Sequence, residues 1–117
     1  MLPRENRLKT SRDFDTVYKD GRHIKGSFGK LVVLTDEAST QPPRIGIVIS
    51  AKRGNAVRRN RAKRQIREAF RTYLPGMRYG CTVVYVVWNI SFSMEAIKKE
   101  LDVLIKKSQV YCDNEIS

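Results

Sequence analysis

Histidine, cysteine and acidic side chains are all scarce in this chain of 117 residues, which carries one His, two Cys and 12 Asp and Glu against 23 Lys and Arg. With His23 alone, no two-histidine acid/base mechanism is available. The acids Asp13, Asp15, Asp20, Asp36, Glu37, Glu68, Glu95, Glu100 and Asp102 are spread along the chain with no motif that gathers them, so a carboxylate cluster for metal-assisted hydrolysis is not indicated. Cys81 and Cys112 are too few and too unpatterned for a disulfide framework or a zinc site, and both are expected to be free thiols of a reducing compartment. The loop with Ser39 and Thr40 is not a nucleophile elbow, and no glycine-rich phosphate cradle appears. There is no long apolar run and no lipidation motif, and the opening MLPRENRLKT lacks the apolar stretch of a secretory signal. The expectation is a cytoplasmic protein without a membrane partner that binds no metal and breaks no bonds with its own side chains.

What the chain has is positive charge. The formal net charge is +11 and the isoelectric point is near 10.1, so the free protein repels itself and suits a partner that supplies negative charge. The charge concentrates in segment 52–71, KRGNAVRRNRAKRQIREAFR, where Glu68 is the sole acid. Gly54 and Asn55 supply a loop and an N-cap, good helix formers follow, and Pro75-Gly76 ends the run. At about 100° per residue, Ala62, Ile66, Ala69, Phe70 and Tyr73 share one arc. Lys63, Arg64, Arg67 and Arg71 fall opposite, with Asn60 among them and Arg61 at the edge. A solvated face that binds nothing is the bland alternative. A long, one-signed, arginine-rich run matched to an apolar stripe favours a phosphate-binding face instead.

The rest of the chain reads as support for this helix. Residues 1–9 form a basic arm with Arg4, Arg7 and Lys9, expected to be flexible before it meets a polyanion. Thr10 or Ser11 caps a first helix running to about Asp20, and Gly21 suits a left-handed C-terminal position. Phe14, Val17 and Tyr18 make its narrow apolar face, which by spacing alone reads as core. Strands are predicted at 23–25, 30–35 and 44–50, with the connector EASTQPP before the third. The uninterrupted TVVYVVW, 82–88, is an interior strand, and Ser93 caps a last helix whose Met94, Ile97, Leu101, Leu104 and Ile105 face the sheet. The tail 108–117 is polar and expected to fray. The whole is one nucleic-acid-binding domain, residues 1–117, of α+β class: a single sheet of about four strands with helices packed on it, in the order αβββαβα.

The block GNAVRRNRAKRQIREAF, residues 54–70, resembles the RNR signature of the bacterial ribonuclease P protein subunit family. Arg7-Leu8-Lys9, Asp13-Phe14, Gly21, the apolar strand ending at Ser50 and Lys52 follow that family's order, so the resemblance covers most of the chain. It implies a protein that assists a catalytic RNA in cleaving the 5′ leader from precursor tRNA, with Mg²⁺ held mainly by RNA, and no protein partner. It also implies a fold shared with a domain of a ribosomal protein, with a left-handed βαβ crossover where the general rule would give a right-handed one. Arg59, Asn60, Arg61, Lys63, Arg64 and Arg67 match the helix that contacts the RNA subunit, and Lys52, Arg53 and Asn55 match its approach. Arg58 and Arg71 complete the expected basic surface. Phe14 and Tyr18 match two aromatics of a cleft for the single-stranded leader, which revises their reading as mere core. Its sheet wall is either Phe28 or an apolar residue such as Val32. Ala51 stands where that family often has Lys. The main rival is a ribosomal or ribosome-assembly RNA-binding protein. A DNA-binding module lacks an evident dimer surface or helix-turn-helix partner, and the scattered acids disfavour a metal-dependent nuclease.

Overall fold

The computed structural model describes residues 11–36, 38, 41–50, 52 and 54–108. The elements run α1 (Ser11–Asp20), β1 (Arg22–Lys25), β2 (Gly29–Thr35), β3 (Arg44–Ile49), α2 (Ala56–Arg71), a single 3₁₀ turn at Leu74–Gly76, β4 (Cys81–Val87) and α3 (Met94–Ser108). This is the αβββαβα order read from the sequence. The expected basic arm at 1–9, residues 109–117 of the expected tail, Ala51, Arg53 and Cys112 lie outside the described residues. Ser108, expected to begin the frayed tail, is instead the buried last residue of α3, its hydroxyl donating to the Ile105 carbonyl at 2.6 Å.

The four strands form one mixed sheet in the order β1-β2-β4-β3. β2 pairs antiparallel with β1 and β4, whereas β3 and β4 run parallel and are joined through α2. β4 therefore has a strand on each side, and helices cover both of its faces, which explains a strand with no polar alternation. Its odd-numbered residues Val83, Tyr85 and Val87 join Leu31, Val33, Ile45 and Ile49 in the main core with α2 and α3. Val84 faces the other way and meets Val32 and Val17 of α1 in a second, smaller cluster. β4 stops at Val87 rather than Trp88; beyond it the backbone N–H groups of Trp88 and Asn89 both donate to the Phe28 carbonyl, at 2.9 and 3.1 Å, as the chain leaves the sheet.

Gly21 departs from expectation. It follows α1 without a left-handed backbone, since the described glycines with positive φ are Gly54 and Gly80. Its role is close approach: a Cβ there would lie 2.5 Å from the Val17 carbonyl oxygen and 2.9 Å from Val32 Cγ1. Ser93 caps α3 as predicted, its hydroxyl accepting from Ala96 N at 3.1 Å.

Cys81 is buried, and burial pushes its thiol up to about 11, so it is a core residue rather than a reactive one. The α3 carboxylate of Glu100 has a larger structural task. It accepts from the backbone N–H groups of Ser27 and Phe28, the latter at 3.0 Å, and from the hydroxyl of Tyr85. Tyr85 is fully buried, and burial followed by its bond to the carboxylate pushes its phenol far up, so it stays a neutral donor. One side chain thus ties the β1–β2 turn, the central strand and the last helix together. Glu100→Ala leaves the Tyr85 hydroxyl without its acceptor and should lower the unfolding free energy by about 2 kcal/mol in urea titrations, with Glu100→Gln losing less.

Candidate nucleic-acid interface

The basic helix is launched by a short stretch of special backbone. Gly54 takes φ of 124°, and Asn55 follows in extended conformation with its side-chain oxygen accepting from Arg58 N at 2.9 Å. Arg59 folds back so that its Nε donates to the Gly54 carbonyl at 3.2 Å. Arg59 therefore braces the loop as well as carrying charge.

Within α2, Ala62, Ile66, Ala69 and Phe70 are buried, as the projection predicts. Asn60, Arg64 and Arg71 are exposed on the far side, while Lys63 and Arg67 lie half-buried along it, keeping their stems against the protein surface. Lys52, Asn55, Arg58 and Arg61 are exposed near the helix start. The one acid of the helix, Glu68, is 3.8 Å from Arg71, and both are open to solvent, so that pair is worth little. Among the described residues Arg58, Arg61, Lys63, Arg64 and Arg67 have no acid partner. A row of guanidinium and ammonium groups with no internal counter-charge is a surface for polyanions, and its planar forks suit phosphate oxygens. The described residues contain no group of three His, Cys, Asp or Glu that could hold a metal ion. No helix among them is long and apolar enough to cross a membrane.

A second candidate surface lies on the opposite face of the sheet. Directly paired residues point to the same side, so the register places Lys30, Val86 and Val48 in one row and Val32, Val84 and Gly46 in the next. α1 lays Val17 over the second row and leaves Phe14 and Tyr18 half-buried beside the sheet. Lys30 Nζ sits 5.7 Å from the centre of the Tyr18 ring. Burial raises the Tyr18 phenol, so its hydroxyl remains a neutral donor. His23 Nε2 lies 3.1 Å from the Tyr18 carbonyl oxygen and donates to it, which satisfies one of the free carbonyls at the end of α1.

The two sheet residues offered as the wall of this cleft both need correction. Val32 is on the right face but is fully buried beneath Val17. Phe28 packs with the other cluster, its ring 5.5 Å from that of Phe92, because the turn before β2 is held toward α3 by Glu100. The half-buried residues near Phe14 and Tyr18 are instead Lys30, Leu34, Val48 and Val86. Strand alternation gave Lys30 the same parity as Val32 and could have found it, but the sequence does not reveal which residue of that face the helix covers.

The family model described as Ribonuclease P matches residues 2–109 of the chain. The chain is similar to the ribonuclease P protein component of a Pseudanabaena species, with 36% identity over 117 residues covering 97% of this chain and 100% of the relative. Against that of a Picosynechococcus species, identity is 39% over 113 residues, covering 94% and 96%. Its fold is similar to the solved RNase P protein of Staphylococcus aureus, with a TM-score of 0.81 at 26% identity, covering 91% of this chain and 97% of that one. The RNase P protein of Thermotoga maritima gives 0.74 at 26% identity, covering 86% and 96%.

The cap provides a test of how the basic face is built. Asn55→Ala removes no charge but should cost about 1 kcal/mol of stability, read as a lower melting temperature by circular dichroism, with Asn55→Asp restoring most of it.

Proposed function

Because the chain belongs to the ribonuclease P protein family, whose model spans residues 2–109, we propose that it is the protein subunit of a cytoplasmic ribonucleoprotein that removes the 5′ leader from precursor tRNA. In this reading the RNA subunit performs the hydrolysis with Mg²⁺ ions that it mainly holds itself, and the polypeptide contributes grip. The observation that carries it is the outward face of α2, where Lys63, Arg64 and Arg67 stand without acid partners among the described residues. That face docks the RNA subunit, with Asn60, Arg61 and Arg71 alongside and Lys52, Arg53, Asn55, Arg58 and Arg59 at its start.

The α1 face takes the unpaired leader. Stacking on Phe14 and Tyr18 tolerates any base, and Lys30 beside the Tyr18 ring supplies charge for the backbone. The protein thereby screens repulsion between two polyanions and adds substrate contacts outside the duplex, which lowers the substrate concentration needed without placing a protein group at the reacting phosphate. The decisive experiment is reconstitution: purified protein is added to the RNA subunit and precursor tRNA at low magnesium. Restored cleavage supports this role, whereas co-sedimentation with ribosomes and no rescue supports a ribosomal one.

Two variants divide the surfaces. Arg64→Ala should weaken binding to the RNA subunit at every salt concentration and reduce the slope of log affinity against log salt by about one phosphate contact. Tyr18→Ala should leave that binding unchanged. It should weaken the holoenzyme's affinity for precursor tRNA by about tenfold, the loss of one stacked base, with no change for mature tRNA, as read by equilibrium binding.

A further inference from the structure

A pocket of about 460 Å³ opens along the flank of α2, against the segment that links β4 to α3. Its helical wall is a second basic stripe, Arg58, Arg61 and Gln65, at the spacing that puts residues on one side of a helix. This stripe lies on the far side of the helix from Lys63 and Arg67, with Arg64 between the two sets as the i+3 neighbour of Arg61. Ile90, Ser91 and Phe92 form the facing wall. That wall is braced: Asn89 Oδ1 accepts from Ser91 N at 2.9 Å, and the Phe92 ring rests on Phe28. Ile90 Cδ1 comes within 3.3 Å of where a Cβ on Gly54 would be, so the helix-launching loop closes the same corner.

Apart from Ser93, whose hydroxyl caps α3, the polar side chains lining this pocket are unspent among the described residues. The side chains of Arg58, Arg61, Gln65 and Ser91 make no hydrogen bond or ion pair among the described residues. Two guanidinium groups at the mouth suit a phosphate, while an amide above half-buried Ile90 and Phe92 suits the edge and face of a base. The volume lies in the range of small-molecule sites and would hold a single nucleotide. We infer that this pocket binds one unpaired nucleotide of an RNA strand, its phosphate on Arg58 and Arg61 and its base between Gln65 and Phe92. The inference rests on the ribonuclease P reading, in which the strand belongs to the RNA subunit, and it adds Gln65, Ser91 and Phe92 as residues that position that RNA beyond charge alone.

The test compares wild-type protein with Gln65→Ala, Ser91→Trp and Arg64→Ala, each bound to the purified RNA subunit and checked for folding by circular dichroism. Gln65→Ala changes no charge. It should weaken binding by about tenfold with the salt slope unaltered, the mark of a lost base contact. Ser91→Trp, on an exposed residue at the rim, fills the space instead of removing a partner and should weaken binding similarly. In chemical probing of unpaired bases, one nucleotide protected by the wild type should become reactive with both variants. If both variants bind like wild type and expose no nucleotide while Arg64→Ala weakens binding, the pocket assignment is wrong and the RNA-subunit reading stands. If Arg64→Ala also binds like wild type, both fall together.

Discussion

Burial of one side of α2 fixes the direction of everything on the other. Ile66, Ala69 and Phe70 are completely removed from solvent, and the Phe70 ring meets Tyr85 of the central strand edge-on with centres 6.3 Å apart. Fully burying a side chain such as Ile or Phe is worth about 1.5–3 kcal/mol, so rotating this helix would forfeit several such terms at once. Its outward charges, by contrast, gain little from one another, since the ion pair described among them, Arg71 with Glu68, is long and exposed. The apolar stripe thus holds a charged surface in place that would otherwise oppose the compact state.

The two faces of the sheet divide the molecule's work. Odd-numbered residues of β4 build the main core under α2 and α3, and even-numbered ones make a thinner layer under α1. Among the described side chains of α1, Val17 is the buried one, and Phe14 and Tyr18 keep open edges while their backbone is held. The β1–β2 turn is pulled the other way by Glu100 and by Trp88, whose indole N–H donates to the Ser27 carbonyl at 3.1 Å. That tension keeps Phe28 out of the α1 face. It leaves a surface of aromatic and aliphatic groups with Lys30 as its nearest cation.

Local chemistry made most of the fold legible before any coordinates. Asn55 and Ser93 cap the helices they were expected to cap, and all of TVVYVVW but its last residue lies in a strand with a neighbour on each side. These features depend on a few adjacent residues, and sequence states them directly. The buried stripe of α2 was legible for the same reason. What stayed hidden depends on long-range placement. Gly21 looked like a helix terminator but is needed because Val17 and Val32 crowd it. Val32 and Phe28 were both plausible cleft residues until the helix position and the Glu100 clamp excluded them. The pocket beside Arg58 and Arg61 joins α2 to a segment about 30 residues further on, and no spacing within either one announces the other.

This arrangement has a consequence for how the charge acts. A basic face balanced by its own acids would spend part of its attraction on internal pairs, which must break before an external phosphate can bind. Here the arginines of α2 are almost free of such competition among the described residues, so counterion release by the incoming polyanion meets little internal cost. The same freedom makes affinity steep in salt and blind to sequence. In the proposed reading, selectivity comes from shape and from the few apolar or amide groups beside the charges: Tyr18 on one face of the sheet, Gln65 and Phe92 on the flank of the helix. Tyr18 is held beside the Val17 cluster and Phe92 against Phe28, so under that proposal the groups that would orient an RNA are fixed by packing rather than by charge.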